Sequence, residues 1–168
     1  MQLPPASIAL RAAVPEDELF MQKVYFSTRA EEMKLIDWTD EQKQAFLEMQ
    51  FTAQKTAYLN DYLSGEYFVI LKDGEAAGRL IVERTEDTLL LIDLAILPEY
   101  RNLGIGTYFL EKLKTEATEK NQTLRLHVEN FNPAHRLYER LGFAKVAEHS
   151  FYWRMEWNSR ESVAQAVA

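Results

Sequence analysis

The segment LAILPEYRNLGIG, residues 94–106, has a composition that suits the binding of a phosphate group. An apolar stretch ends at Pro98, Arg101 follows it, and Gly104 and Gly106 open a predicted helix. Glycines let a ligand approach the backbone closely, and the first N–H groups of a helix have no partner within the helix and attract anions. The segment therefore predicts a pyrophosphate loop, with tight strand-to-helix packing as the alternative reason for the glycines.

Two common phosphate motifs do not fit this segment. The dinucleotide fingerprint G-x-G-x-x-G requires a third glycine, but Phe109 occupies that position. A P-loop requires Gly-Lys followed by serine or threonine, and no such sequence follows the loop. The loop therefore indicates a phosphate ligand without matching either of these two nucleotide-binding classes.

Three side chains of a second segment, residues 126–143 (LHVENFNPAHRLYERLGF), suit proton transfer or ligand binding: His127, Asn132 and Tyr138. A phenol, with a pKa of about 10, can protonate a departing thiolate, whose thiol has a pKa of about 8.5. An imidazole, with a pKa of about 6.5, can accept a proton at neutral pH. The alternatives are a tyrosine that packs on its own helix and a histidine with a structural role.

The composition excludes several chemistries. The 168 residues include no cysteine, so a thiolate nucleophile, a cysteine-ligated metal and a disulfide framework are all excluded. His135 and His149 fit no metal-ligand spacing, and we expect no metal. With 19 basic and 26 acidic residues the net charge is −7, which disfavours nucleic acid and anionic membranes as partners.

The sequence carries no pattern typical of membrane insertion or export. The apolar run over residues 89–92 ends at Asp93, and every apolar run in the sequence is far shorter than the roughly 20 residues that a bilayer span requires. Residues 1–10 contain two prolines and no basic residue, unlike a signal peptide. We therefore expect no membrane partner and a cytoplasmic location.

Helical spacing predicts two helices before residue 65. The first runs from Pro15 to about Arg29, with acidic residues in its first turn, where they complement the positive helix end. The second begins at a capping box formed by Thr39 and Gln42 and ends at Ser64-Gly65. Its predicted buried face comprises Phe46, Met49, Ala53 and Ala57.

Strand patterns dominate after residue 65. Residues 66–72 and 76–83 flank Asp73-Gly74, a two-residue turn typical of a β-hairpin. Residues 88–97 are almost continuously apolar, as in a buried central strand, and residues 123–129 alternate between apolar and polar. Two last strands are predicted over residues 143–148 and 151–157.

Two further helices separate these strands. One covers residues 104–120, and the other begins at Asn132-Pro133, a cap followed by proline, and ends at Gly142. The order is strand, two helices, three strands, helix, strand, helix, two strands. It predicts one α/β domain over residues 1–157, followed by a flexible tail over residues 158–168.

The two segments together resemble the GCN5-related N-acetyltransferase (GNAT) family. Residues 101–106 match its acetyl-CoA motif R/Q-x-x-G-x-G/A. Residues 132–143 resemble its signature N-x-x-A-x-x-L-Y-x-x-x-G-F, although Asn132 lies six residues before Tyr138 where the family has seven, with Asn130 as a weaker substitute. Residues 10–17 and 73–75 add to a similarity over residues 8–157. The resemblance implies a mixed, mostly antiparallel sheet of about seven strands with about four flanking helices.

The resemblance also implies where acetyl-CoA, the acyl donor, binds. The backbone of Leu94, Ala95 and Ile96 is expected to pair with the pantetheine arm like an extra strand. Asn132 is expected to contact pantetheine or its acyl end. The pyrophosphate is expected on a loop whose members are Arg101, Asn102, Leu103, Gly104, Ile105, Gly106 and Thr107.

Proton transfers are assigned to two side chains by the same resemblance. Tyr138 is expected to protonate the leaving thiolate. His127 is the first choice for the base that deprotonates the acceptor ammonium, with Asp93, Glu129 or a chain of waters as alternatives. These roles predict an acetyl-CoA-dependent N-acetyltransferase that acetylates a primary amine directly in a ternary complex, since no cysteine can carry the acetyl group.

The sequence is compatible with other interpretations of the function, the acceptor and the last strand. A catalytically silent acyl-CoA-binding sensor or scaffold of the same fold is the main alternative, and a nucleotide-binding regulatory domain is another. The acceptor is a small amine, a peptide N-terminus or a lysine side chain. The last strand either pairs across a homodimer or completes the sheet.

One segment has a composition that suits a cationic acceptor. Residues 31–41 carry five acidic residues against Lys34, with Trp38 among them, and such a field attracts an amine. The alternative is a solvated acidic helix boundary. Tyr58 and Tyr62 either line the same side or pack in the core.

Overall fold

Seven β-strands and four α-helices follow the predicted order over residues 7–160, the part of the chain that this computed structural model describes. The strands are β1 (Ile8–Ala12), β2 (Gly65–Lys72), β3 (Glu75–Arg84), β4 (Thr88–Ile96), β5 (Thr123–Glu129), β6 (Ala144–His149) and β7 (Tyr152–Trp157). The helices are α1 (Glu18–Lys34), α2 (Asp40–Asp61), α3 (Ile105–Glu119) and α4 (Ala134–Arg140). Most of the predicted tail, residues 161–168, lies outside the described residues.

The strands form one sheet in the order β1-β2-β3-β4-β5-β7-β6. β4 runs parallel to β5, from Thr88 opposite Thr123 to Leu91 opposite Leu126. β7 is antiparallel to both β5 and β6, so both of its edges are used within the chain and it completes the sheet. The fold is therefore the mostly antiparallel α/β architecture that the resemblance implies.

The chain divides into two compact units. Within residues 7–160, the first unit comprises the residues up to Ile81 together with Asp93–Gly106, and the second comprises Val82–Ile92 and the residues from Thr107 onward. Part of the first unit's core is a cluster of three buried residues, Val24, Ala95 and Leu97, against which Phe20 and Tyr100 pack.

The hairpin and the capping box predicted for the first unit are confirmed. Asp73 and Gly74 have φ angles of 52° and 83°, both in the left-handed region that a two-residue hairpin turn requires. The Thr39 hydroxyl accepts the Gln42 N–H at 3.1 Å, and the Gln42 side chain accepts the Thr39 N–H at 3.0 Å. These local motifs fix where β2 ends, where β3 begins and where α2 starts.

The predicted buried face of α2 is wrong. Leu47 and Phe51 are the buried residues of this helix, whereas Met49 is 62% exposed. Ala53 and Ala57 are exposed as well, and Phe46 is only partly buried. Apolar residues occur on two sides of α2, and packing rather than spacing selects the side that faces the core. α1 is also longer than predicted, because it continues to Lys34 with Met33 buried.

A short turn at Pro15–Asp17 leads from β1 into α1 and is held by one carboxylate. Asp17 accepts the Val14 N–H at 2.8 Å and pairs with the Arg11 guanidinium at 2.8 Å. The hydrogen bond from Arg11, followed by that from Val14, lowers the pKa of Asp17 to about 2. The carboxylate is therefore ionised at neutral pH and fixes the entry to the helix.

Gly78 allows the backbone of β4 to approach β3 closely. An ideal Cβ at Gly78 would lie 2.4 Å from the Ala95 carbonyl oxygen and 3.2 Å from the Ile96 Cα. These are backbone atoms, which cannot move aside as the end of a flexible side chain can. Glycine at this position therefore positions the β4 segment that contains Ala95 and Ile96.

We expect Gly78→Ala to lower the free energy of unfolding by about 1–3 kcal/mol, because the added methyl group overpacks this contact. Urea denaturation measures the change. Gly106→Ala is the matched control, since a Cβ there meets no atom within 4 Å. Equal stability of Gly78→Ala and the wild type would show that β4 can shift away from β3 without cost.

The second unit confirms the predicted core positions. Phe109, Leu110, Leu113 and Ala117 form the buried side of α3. Leu124, Leu126 and Val128 are buried along β5, while the alternate residue His127 is exposed. Gly142, with φ 93°, ends α4 as predicted. An Arg84–Glu116 ion pair at 2.8 Å joins β3 to α3.

Candidate active site

The loop from Arg101 to Gly106 has the backbone geometry of an anion-binding helix start. A single turn at Pro98–Tyr100 ends β4, and Asn102 and Gly104 take left-handed φ angles of 61° and 82°. Asn102, Leu103 and Gly104 are exposed, and α3 begins at Ile105. The first N–H groups of an α-helix have no intrahelical acceptor, so this loop offers amide donors at a positive helix end.

Gly106 has no structural reason to be glycine. Its φ lies outside the left-handed region, and a Cβ built on it would meet nothing within 4 Å. Glycine in a helix costs about 1 kcal/mol relative to alanine. A ligand that comes close to the backbone explains the glycine, because a side chain would fill the space that the ligand needs.

Arg101 holds the loop in place. Its Nε donates to the Ile96 carbonyl at 2.9 Å, and one Nη donates to the Ser27 carbonyl at 3.4 Å. The guanidinium therefore joins the loop to the end of β4 and to α1, in addition to bringing a positive charge to the loop. This positioning contact was not predicted from the sequence.

The β4 residues expected to pair with pantetheine follow the β4–β5 ladder in sequence. The last pair of that ladder is Leu91 opposite Leu126, and Leu94, Ala95 and Ile96 come after it. The Ala95 side chain is buried in the core cluster of the first unit, and the Ile96 carbonyl accepts from Arg101.

Four predicted site residues belong to the second unit: Thr107, His127, Asn132 and Tyr138. Tyr138 lies on α4, half-buried, with its ring edge-on to Phe143 at 5.8 Å. Asn132 lies in the turn just before α4, whose N-cap residue is Pro133, and its side-chain oxygen accepts the Ala134 N–H at 2.9 Å. Asn130, the substitute, donates its backbone N–H to the Phe151 carbonyl.

His127 lies on β5, edge-on to the Tyr152 ring at 5.6 Å. Although the residue is exposed, partial desolvation of its ring, followed by the charges of Arg125 and Arg154, lowers the pKa of His127 below its ordinary 6.5. The imidazole is therefore mostly neutral at pH 7 and able to accept a proton. The other histidines make local contacts: His135 with Glu139 at 3.3 Å and His149 with Tyr152.

The carboxylates considered as alternative bases lie in different settings. Asp93 pairs with Arg79, whose side chain is almost completely buried, so that its charge balances a guanidinium. Glu129 lies at the end of β5, opposite Tyr152. The described residues include no group of His, Asp or Glu side chains arranged to hold a metal ion.

Comparison with known proteins places the chain in a family. Its sequence matches the profile of the acetyltransferase (GNAT) family over residues 31–143. The chain belongs to the GNAT family. A curated relative, the ribosomal protein bS18-alanine N-acetyltransferase of Haemophilus influenzae, is 35% identical over 102 residues, which cover 58% of this chain and 70% of the relative. This GNAT protein is an acetyl-CoA-dependent N-acetyltransferase.

Solved structures show the same GNAT fold. The PaiA N-acetyltransferase of Thermoplasma acidophilum, in complex with coenzyme A, is 19% identical with a TM-score of 0.68, over 90% of this chain and 99% of that one. The PseH N-acetyltransferase of Campylobacter jejuni, in complex with acetyl coenzyme A, is 20% identical with a TM-score of 0.56, again over 90% and 99%. No helix within residues 7–160 of this GNAT protein is long and apolar enough to cross a membrane.

The acidic segment predicted as an acceptor surface joins the first two helices of this GNAT protein. Lys34 pairs with Glu31 at 2.9 Å, and Arg29 pairs with Glu32 at 3.2 Å. Trp38 is 42% exposed and packs edge-on against Phe46. Two of the acidic side chains are therefore engaged in local ion pairs at the end of α1.

A cavity of about 350 Å³ in the first unit was not predicted from the sequence. α1, α2, β2, β3 and the turn before α1 form its walls. Tyr58 lines it, whereas Tyr62 packs beside Tyr58 with ring centroids 5.9 Å apart. Arg79, 3% exposed, is a buried charged residue among those that line the GNAT protein's cavity, and it donates to Gln54 at 2.8 Å and pairs with Asp93.

Proposed function

We propose that this GNAT enzyme transfers the acetyl group of acetyl-CoA directly to a primary amine while donor and acceptor are bound together. The loop ending at Gly106 is the observation that carries the proposal, because a glycine without a packing reason stands where a pyrophosphate would approach the backbone. The chain has no cysteine to form an acyl-enzyme, which favours direct transfer.

The donor is bound by the residues that match the family motif. The backbone of Leu94, Ala95 and Ile96 pairs with the pantetheine arm, and Asn132 contacts pantetheine or its acyl end. The loop N–H groups from Asn102 to Thr107 bind the pyrophosphate, with Arg101 holding the loop against β4. A backbone N–H of β4 also stabilises the negative charge that develops on the thioester oxygen during the attack.

The reaction makes one C–N bond and breaks one C–S bond. His127 accepts a proton from the acceptor ammonium, and the free amine attacks the thioester carbonyl carbon. The tetrahedral intermediate then expels the thiolate, which takes the hydroxyl proton of Tyr138. The extra proton on the new amide nitrogen is lost and restores the Tyr138 hydroxyl. The lowered pKa of His127 keeps the imidazole in its proton-accepting form at neutral pH.

We expect the pH profile of kcat/KM to have an acid limb with its midpoint below pH 6.5, because His127 acts as a base only when neutral and its pKa is lowered. His127→Ala should remove this limb and lower kcat/KM at neutral pH by about 10²-fold or more. His135→Ala is the control and should keep the limb. An unchanged limb in His127→Ala would assign the base to Asp93, Glu129 or water instead.

A panel of amines tests which class of acceptor the enzyme acetylates. The curated relative is named for the acetylation of a ribosomal protein alanine, so the panel contains a peptide with N-terminal alanine, a lysine-containing peptide and small primary amines. Release of free thiol from acetyl-CoA reports turnover. Thiol release with none of these amines, together with tight acetyl-CoA binding, would instead support a silent sensor.

Initial-rate kinetics with the best acceptor tests the ternary complex. Double-reciprocal plots at several acetyl-CoA concentrations should intersect, because both substrates must be bound before the first product leaves. Parallel lines would indicate an acetyl-enzyme and would contradict direct transfer.

A further inference from the structure

The cavity in the first unit has mostly apolar walls. Val14, Met21, Phe51, Leu59 and Ile81 are among the residues that line it. Its volume of about 350 Å³ lies within the range of small-molecule sites, which are mostly apolar with a few fixed polar groups. The cavity therefore suits an aliphatic or aromatic group of a small ligand.

Two enclosed polar atoms belong to residues that line this cavity. The Tyr67 hydroxyl oxygen and the Arg79 Nε are buried and have no hydrogen-bond partner within the described part of the chain. Buried donors are almost always paired in folded proteins, and an unpaired one requires an explanation. Burial raises the pKa of Tyr67 and of the neighbouring Tyr58, so both phenols keep their protons at neutral pH.

The charges around the cavity are already balanced. Arg79 pairs with Asp93, and Lys55 pairs with Glu18 at 2.8 Å. A ligand carboxylate would add an uncompensated charge to this balanced set. A neutral carbonyl oxygen can accept from Tyr67 and from the Arg79 Nε without doing so.

The wall of the cavity that contains Arg79 lies next to the proposed donor segment of β4. Arg79 pairs with Asp93, which immediately precedes Leu94 in the chain, and Gly78 packs against the Ala95 carbonyl. A carbonyl group bound by Arg79 would therefore lie near the residues of β4 that are proposed to bind the thioester. The amine to be acetylated must then be only a few bonds from that carbonyl.

We propose that the cavity binds the acceptor, and that the acceptor is an α-amino amide with an apolar side chain. The side chain fills the cavity, and the amide carbonyl accepts hydrogen bonds from Tyr67 Oη and Arg79 Nε. This chemistry is presented by a free amino amide and by a peptide N-terminus. The assignment rests on the proposed acetyl transfer to an amine, but binding to the cavity can be measured without it.

Calorimetric titration without acetyl-CoA compares two probes. One is leucinamide, and the other is the same amine with a methyl group in place of the carboxamide. We expect leucinamide to bind about tenfold more tightly, because the methyl analogue leaves both donors unpaired. Equal affinities would overturn the proposal.

Tyr67→Phe is the decisive variant. It should reduce the affinity ratio in favour of leucinamide to about threefold. The thermal midpoint should stay equal or rise, because the hydroxyl that it removes has no partner among residues 7–160. Tyr108→Phe removes a hydroxyl from α3 and should keep the full preference. A Tyr67→Phe variant that keeps the full preference, or that is clearly less stable, would overturn the role of this hydroxyl.

Further measurements distinguish the source of the ligand, and they test the cavity assignment separately from the proposed acetyl transfer. A peptide that begins with leucine and binds as tightly as leucinamide identifies the peptide N-terminus as the source, and exclusion of that peptide identifies the free amide. Leucinamide binding without acetylation would contradict the proposed transfer and leave the cavity assignment intact. Acetylation of amines at rates independent of Tyr67→Phe would overturn the cavity assignment alone.

Discussion

Tyr138→Phe should lower kcat by about 10²–10⁴-fold, the range typical for the loss of a general acid. The phenol supplies the proton that the departing thiolate needs, and phenylalanine has no proton to give. The substituted ring keeps its shape and its edge-on packing against Phe143 at 5.8 Å. The effect should therefore fall on kcat, while the Kd for coenzyme A changes little.

Thiol release under saturating substrates measures the effect of Tyr138→Phe, and fluorescence or calorimetric titration with coenzyme A measures binding. Tyr108→Phe removes a hydroxyl from α3 and should leave kcat within about twofold of the wild type. A change of less than about threefold in Tyr138→Phe, with coenzyme A binding retained, would make Tyr138 a packing residue.

Gly106→Val should raise the KM for acetyl-CoA by about 10–100-fold, because a branched side chain occupies the space into which the pyrophosphate approaches. The protein itself should tolerate the substitution. A Cβ at this position meets no atom within 4 Å, so nothing in the folded chain is displaced by the first added carbon. Loss of donor binding without loss of stability is the expected signature of a ligand-facing glycine.

Gly106→Ala provides the graded comparison. Alanine also occurs at this position of the family motif that the loop matches, so the KM should rise by less than about threefold and the thermal midpoint should rise with the gain in helix propensity. Gly104→Ala should instead destabilise the loop, because Gly104 has a φ of 82°. Normal acetyl-CoA binding by Gly106→Val would place the pyrophosphate elsewhere.

Features controlled by neighbouring residues could be predicted from the sequence. The capping box at Thr39 and the turn at Asp73-Gly74 depend on contacts within four residues, and both have the predicted geometry. The alternation along β5 also identified Leu124, Leu126 and Val128 as buried. A strand that is buried on one face permits only one assignment of its residues to the buried and the exposed face.

Features controlled by distant contacts could not be predicted in the same way. The side of α2 that faces the core was missed, since Leu47 and Phe51 compete with a second apolar set on the same helix. The cavity was missed because its walls come from separate helices and strands. One signal was available: Arg79 and Asp93 are opposite charges, each flanked by apolar residues in the middle of its strand, which predicts a buried ion pair.

The parallel pairing of β4 with β5 also bears on the order of folding. The β2–β3 hairpin closes through two residues, and hairpins form in about 1–10 μs. The parallel ladder instead joins strands separated by the donor loop and the whole of α3, and such non-local pairings form slowly. The loop proposed to bind the pyrophosphate of acetyl-CoA is thus enclosed in a connection that closes slowly, and donor binding would report that this pairing is complete.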